Sequence, residues 1–175
     1  MAPSTQSVDR LEALILPHLD DAYTLARYLL RDEHDAQDAV QDAALRAVRY
    51  ADGFRDGDSR AWFLVIVRNC CLTRRRRQQN EPPMISLLDD AAPLSDSSAA
   101  DARAIERSDR ELLARAVSTL PVEFQEVIVL REIQQLSYSE ISDVVGAPIG
   151  TVMSRLSRAR KRLAVALGRT SQEAG

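Results

Sequence analysis

The chain is predicted to be all-α, with two small helical domains joined by a flexible linker. Three observations predict this. Apolar residues recur at helical spacing in two separate blocks. Aromatic residues make up only 5% of the 175 residues, too few for a large sheet core. Residues 80–108 hold three prolines, a serine cluster and several acids, with no sustained period. A stretch of that length without structure of its own is unusual inside one compact domain, so it reads as a tether. The expected division is 1–79, 80–108 and 109–175.

In the first block, Val8, Leu11 and Ile15, then Leu19, Ala22, Leu25 and Leu29, follow the helical period. Pro17 falls within this stretch and separates a short helix from a longer one. Asp35 is placed to cap a helix running to about Ala51, with an apolar stripe of Ala36, Val40, Ala43 and Ala47. Its opposite face carries Asp38, Gln41, Asp42, Arg46 and Arg49. A loop with two glycines, Gly53 to Ser59, precedes a long helix from Arg60 to Gln79. The start of that helix, Ala61 to Val67, is apolar all round and must be buried on most sides. Its end, Arg74 to Arg77, is cationic all round and must be solvated or rest on an anion. A β-strand is the rival for the apolar run, but a long pattern without turn signals favours helix.

The second block begins with a helix over 109–118. Leu120-Pro121 opens another, with proline at its first position, running to about Ile133. Ser137-Tyr138-Ser139-Glu140 is a capping box that opens a short helix, and Gly146 closes it. Pro148 opens the last helix, with an apolar stripe of Ile149, Val152, Leu156, Ala159, Leu163 and Ala166. Thr151, Ser154, Arg155, Arg158 and Arg162 lie on its outer face. Two helices joined by a tight glycine turn form a helix-turn-helix. The second helix of such a unit lies in the DNA major groove, with its N-terminal residues near base edges.

The net charge of −3 conceals an uneven distribution. Residues 1–73 sum to −4, Arg74–Arg77 to +4, residues 80–108 to −4, and residues 109–175 to +1. Six basic residues and no acid fall between Val144 and Gln172. Two basic patches flanking an acidic segment are the footprint of phosphate binding. Lys161 is the only lysine among 23 basic residues, a bias that suits phosphate and guanine contacts and that a GC-rich genome also produces.

Several classes are excluded. No run of 18 apolar residues spans a membrane. The segment MAPSTQSVDR lacks the features of a secretory signal, so a cytoplasmic location is expected. Cys70 and Cys71 are adjacent, which suits neither a disulfide scaffold nor, with His18 and His34 so distant, a zinc site. No His-bearing triad, phosphate loop or metal motif occurs, so neither an enzyme activity nor a cofactor is expected. The tail from Gly168 to Gly175 is short and polar, and no extra C-terminal sensory domain is expected.

Individual residues admit more than one reading. Asp38 and Asp42 lie one turn apart, and fit a docking face for a basic partner or a solvated face. Trp62 fits a core position at a helix start, or stacking on an unstacked base. Arg68 and Asn69 follow the apolar run, and asparagine can contact adenine bidentately. Arg74–Arg77 suit phosphate better than a targeting signal. Tyr138 and Ser139 suit packing, capping or phosphate contact. For Cys70 and Cys71, packing is the plain reading and redox sensing the sharper one.

The motifs Leu120-Pro121, Val127 to Glu132, Leu136 to Ile141, Gly150-Thr151-Val152, Ser154-Arg155-Leu156 and Arg158-Ala159-Arg160 resemble region four of a bacterial RNA polymerase sigma factor of the extracytoplasmic-function (ECF, group four) class. More loosely, Asp35 to Asp42, Arg60 to Phe63 and Arg68-Asn69 resemble region two. The resemblance covers about 8–79 and 109–167. It implies a polymerase-binding face at Asp38, Gln41, Asp42 and Arg46. It implies reading and melting of the minus-ten element by Arg55, Asp58, Trp62, Arg68, Asn69, Arg74, Arg75 and Arg76. For the minus-thirty-five element it implies Tyr138, Thr151, Met153, Ser154, Arg155, Ser157, Arg158, Arg160 and Lys161. Core RNA polymerase, promoter DNA and an anti-sigma factor are the implied partners, and the acidic tether is implied to thread a channel built for nucleic acid. Ala44 and Val48 stand where the family commonly has bulky aromatics. Met153 stands where a basic residue is common, and Ser157 where an aromatic or histidine is.

Two other functions compete: a stand-alone helix-turn-helix regulator, which needs a dimerisation or ligand domain, and a recombinase, which needs a catalytic Ser or Tyr among arginines. The first block suits neither. The chain's net charge of −3, and an acidic 80–108 segment that can compete for the basic patches, lead to a prediction. Because non-specific affinity rests on neutralising phosphates and falls steeply with salt, the free protein should bind promoter duplex weakly at physiological ionic strength. A gel-shift titration without polymerase checks this, and tight binding there would favour the stand-alone regulator.

Overall fold

The computed structural model describes residues 12–80 and 100–173. Val8 and Leu11, and most of the tether, lie outside the described residues. Seven α-helices, and no strand, occur among those described. They are α1 (Leu19–Leu30), α2 (Glu33–Tyr50), α3 (Ser59–Asn80), α4 (Ala100–Ser118), α5 (Val122–Ile128), α6 (Tyr138–Val145) and α7 (Ile149–Glu173).

Residues 12–15 are helical, and Pro17 sits in a tight 3-10 turn, Leu16–His18, before α1. The chain leaves α1 through Arg31, whose left-handed φ of 65° lets its N–H reach the Arg27 carbonyl at 2.9 Å. The cap of α2 is Asp32 rather than Asp35: its side chain accepts the Asp35 N–H at 2.8 Å. The buried stripe of α2 is Ala36, Ala39, Ala43 and Ala47, with Val40 only half-buried. Four alanines bring α2 close to its neighbours, and α1, α2 and α3 pack mutually around Leu25, Leu29, Phe63, Leu64 and Val67. After the Ala51–Gly53 turn, the Asp58 carboxylate accepts the Arg60 N–H at 2.9 Å and starts α3.

Helix α4 starts at Ala100, taking in the last nine residues of the segment read as tether, and not at 109. Pro121 is the cap of α5 and lies just outside the helix. A π-turn, Val129–Ile133, follows α5. The capping box forms as expected: the Ser137 N–H donates to the Glu140 carboxylate at 2.6 Å, and the Glu140 N–H to the Ser137 hydroxyl at 3.2 Å. Gly146 closes α6 with φ 67° and donates to the Ser142 carbonyl at 2.9 Å. The Ser142 hydroxyl donates to the Ala147 carbonyl at 2.6 Å, tying the turn between α6 and α7. Along α7, Val152, Leu156 and Ala159 are buried, whereas Ile149 is 45% exposed and does not join the core.

The apolar start of α3 is covered as its sequence requires. Besides α1 and α2, it packs against α6, and α1 also packs against α4 and α5. The hydrophobic core is therefore continuous between the two halves of the chain.

Hydrogen bonds from Ser137 hold the Glu140 carboxyl below its ordinary value of 4.5. A depressed acid stabilises the fold above its unfolded pKa, and this is lost as pH falls through the folded value. Ser137→Ala should cost about 1 kcal/mol at pH 7. The urea-midpoint difference between wild type and Glu140→Gln should narrow once the pH drops below 4.5.

Candidate nucleic-acid interface

On α2, Asp38, Gln41, Asp42 and Arg46 are all exposed on one side of the helix, as the sequence implied. Asp38 is not idle: Arg74 donates to it at 2.9 Å and approaches Asp35 at 3.4 Å. Leu45 and Val48 are also exposed, at 57% and 47%, an apolar pair beside this polar face. Leu45 escaped the reading from sequence, although it falls outside the alanine stripe and its position off that period was the available signal.

On and before α3 the expected minus-ten residues divide into three groups. Arg55, Asp58, Asn69 and Arg76 are exposed. Trp62 is half-buried, its ring tilted 46° against Phe54 with centroids 5.1 Å apart, so packing and an open ring edge coexist. The remaining arginines are engaged inside the chain. Arg68 makes a bidentate pair with Glu126 of α5, at 2.7 and 3.0 Å. Arg75 donates to the Leu29 carbonyl and the Gln125 side chain, at 3.0 and 3.1 Å. Burial, and then the Arg31 charge, push the Arg75 pKa down. Of the four-arginine run expected on phosphate, Arg74 and Arg75 thus have protein partners.

Along α7, Met153, Ser154, Ser157, Arg158, Arg160 and Lys161 are exposed and Thr151 is half-buried. The Ser154 hydroxyl bonds back to the Thr151 carbonyl at 3.0 Å. Arg155 is half-buried and turns toward Glu126 at 3.9 Å. Arg160 pairs with Glu132 at 2.6 Å, which raises its pKa. Tyr138 is half-buried beneath the Arg131 guanidinium, 4.7 Å from its ring centroid. Met153 and Ile149 instead form an exposed apolar pair at the first turns of α7. Helix α7 begins just after Pro148, whose carbonyl accepts the Val152 N–H at 3.0 Å, and its first turn carries the positive pole of the helix dipole.

Comparison with known proteins decides the family. Sigma-70 region 2 matches residues 14–81, and Sigma-70 region 4 matches residues 110–163. The ECF RNA polymerase sigma factor SigM of Mycobacterium tuberculosis is 38% identical over 158 residues, covering 90% of this chain and 76% of that protein. This chain belongs to the ECF sigma-factor family.

The ECF sigma factor SigE of Mycolicibacterium smegmatis is 32% identical over 93% of this chain, which spans 63% of SigE. Among solved structures, sigma factor RpoE of Bartonella quintana, in complex with the anti-sigma factor NepR, aligns with a TM-score of 0.69. It shares 26% identity and covers 88% of this chain and 94% of that one. CnrH, in complex with the cytosolic domain of CnrY, aligns with a TM-score of 0.68 at 26% identity, covering 91% and 88%. In this ECF sigma factor α2 and α3 fall within the region 2 match, and α6 and the first part of α7, up to Leu163, fall within the region 4 match. No described helix is long and apolar enough to cross a membrane.

Cys70 and Cys71 are both buried in this fold. Burial pushes the Cys71 thiol up to about 12, and Cys70 is raised for the same reason. The thiolate is the reactive form, so both side chains behave as packing groups at neutral pH. Native protein at pH 7.5 should therefore resist alkylation by iodoacetamide, while protein in 8 M urea takes up the reagent at both positions. Mass spectrometry after timed quenching reads the difference, and rapid labelling of native Cys70 would restore the redox reading.

Proposed function

We propose that this ECF sigma factor binds core RNA polymerase in the cytoplasm and directs it to a defined set of promoters. In this reading α2 docks on the polymerase through Asp38, Gln41, Asp42 and Arg46, with Leu45 and Val48 adding apolar area. Trp62, Asn69 and neighbouring arginines of α3 contact the minus-ten element. Helix α7 enters the major groove at the minus-thirty-five element, with Ser154, Ser157 and Arg158 facing bases and Lys161 facing phosphate. The acidic tether, residues 80–108, passes through the polymerase between these two sites. The carrying observation is the unit of α6, the Gly146 turn and α7, which presents the exposed polar and basic residues of a recognition helix beyond a capped first helix.

Regulation by an anti-sigma factor belongs to the same reading. One structural relative described above, RpoE of Bartonella quintana, is held by the anti-sigma factor NepR, and the other, CnrH, by the cytosolic domain of CnrY. The exposed apolar residues Leu45 and Val48 on α2 offer it area to cover. No step requires a metal, a cofactor or catalysis by the chain itself. The polymerase performs the chemistry, and the sigma factor supplies binding energy and sequence selection.

Run-off transcription with core polymerase tests this directly. Added protein should give a promoter-specific transcript. Charge reversal at Asp38 and Asp42 should lower co-elution with core while leaving helicity unchanged. Arg158→Ala should weaken upstream protection by about 1–3 kcal/mol, the worth of a good base contact, and spare a pre-melted template. Asn69→Ala should impair minus-ten opening and leave binding of the upstream element intact. Absence of a transcript with every core polymerase tried, alongside a palindromic footprint without polymerase, would transfer the function to a stand-alone regulator.

A further inference from the structure

Five arginines gather around a cavity whose lining residues belong to none of the proposed polymerase or DNA surfaces. The cavity holds about 800 Å³ and lies between α1 and α4. Helix α1 lines it with Arg27, Tyr28 and Arg31, and α4 with Arg107, Arg110 and Arg115. On α4 these positions, with Ala114 and Ser118, recur at steps of three and four residues, so they share one face of the helix, turned toward α1. Glu111 is the one carboxylate among the lining residues. It reaches Arg115 at 3.4 Å with both side chains more than half exposed, a surface pair of little strength that yields to a stronger anion.

Local bonds hold two of these arginines in place. The Arg27 guanidinium donates to the Arg31 carbonyl at 2.9 Å, and the Arg31 guanidinium donates to the Ser118 carbonyl. Both acceptors are backbone oxygens, which orient a guanidinium without cancelling its charge. Each guanidinium has five N–H donors, so both arginines keep donors for an anion. The positive field is felt by the neighbours of the cavity. Burial first, and then the Arg31 charge, lower the Arg75 pKa. Burial raises the Tyr28 phenol, and the Arg110 charge opposes that rise. Like charges gathered at one cavity repel, and one glutamate does not balance five arginines. A multivalent anion turns that repulsion into attraction.

We propose that the cavity between α1 and α4 binds a chain of two or three phosphates, free or as the tail of a nucleotide, held by Arg27 and Arg31 from one helix and by Arg110 and Arg115 from the other. A guanidinium fork matches phosphate oxygens two at a time, which is why arginine suits this ligand better than a point charge does. A chain fits better than a single phosphate on two grounds. The arginines approach from two helices, so their donors are spread over more than one tetrahedral group. The volume is that of a small-molecule site, well above the need of one phosphate. The half-buried Tyr28 supplies a ring beside which a nucleoside can lie. A ligand that touches both helices also stabilises the fold by mass action. The inference goes beyond the promoter function proposed above and does not depend on it.

The test titrates tripolyphosphate into the full-length chain by isothermal calorimetry, at about 0.15 M salt so that diffuse attraction is screened. One ion should bind per chain. Arg27→Gln, Arg110→Gln and Arg115→Gln should each weaken binding about tenfold, the worth of one charge-assisted hydrogen bond. Arg158→Gln, which removes a positive charge from α7, should leave it unchanged. Tripolyphosphate should also raise the thermal midpoint of wild type more than that of Arg115→Gln. Should Arg27→Gln or Arg110→Gln lose helicity by circular dichroism, the exposed Arg115→Gln decides alone. A second arm titrates ATP and GTP. Tighter binding of either than of tripolyphosphate assigns the phosphate chain to a nucleotide, and equal or weaker binding assigns it to free polyphosphate; both results support the site. Several ions per chain, with equal losses in Arg158→Gln and the cavity variants, would overturn it. So would an absence of tripolyphosphate binding, including the case in which an aspartate-rich peptide or duplex DNA binds instead and is lost with Arg115→Gln. Polymerase enters none of these measurements, so failure of the site leaves the sigma function standing, and failure of run-off transcription leaves the site standing.

Discussion

A carboxylate withdrawn from water must find cationic partners or destabilise the fold, and Glu126 finds two. Its bidentate bond to Arg68 fixes α5 against α3, and its approach to Arg155 draws α7 into the same junction. Around that point the apolar surfaces close. Helix α3 packs on α1 and α2 and also on α6, so the middle of one helix serves two parts of the fold. Replacing such a pair by apolar residues is often harmless, whereas removing one partner strands a buried charge. What the pair contributes is thus better described as specificity of docking than as gross stability. An apolar contact alone tolerates sliding, but a two-pronged hydrogen bond does not.

The same economy governs the arginines. A chain with net charge −3 carries its cations in clusters, and several of these are neutralised within the fold. Arg74 rests on Asp35 and Asp38, Arg160 on Glu132, and Arg60 on Asp21. Arg158 and Lys161 of α7 face outward, as does Arg162, whose guanidinium lies over the Phe124 ring. Pairing of this kind keeps non-specific attraction to nucleic acid low while retaining the groups for a specific contact. At exposed sites each pair is worth little, so it yields readily when a stronger partner arrives.

Much of the architecture was legible in the chain. The capping box at Ser137 and Glu140, the left-handed turn at Gly146 and the proline before α7 are local chemistry, and each formed where its residues stand. The apolar run from Ala61 to Val67 demanded burial on most sides and obtained it. Misplacements were local too. Asp32 took the cap in place of Asp35, since both are good acceptors and the choice depends on where the left-handed Arg31 releases the chain. Helix α4 began at Ala100, because alanine-rich sequence with mixed charges extends a helix as easily as it fills a linker. Ile149 stayed exposed, because period alone does not reveal which turn of a terminal helix the core reaches.

Sequence by itself determined the helical class, the glycine turn of the helix-turn-helix, the polar face of α2 and the basic face of α7. All of these depend on residues within a few turns of one another. Only the tertiary structure decided which arginines are committed within the chain. Arg68 and Glu126 are 58 residues apart, and Arg60 and the Gln134 carbonyl 74. No periodicity connects such positions, and an arginine bound for a buried carboxylate has the same local sequence signature as one bound for DNA. The pairing is settled by how the halves of the chain pack, and packing is a property of whole surfaces rather than of any short stretch of residues.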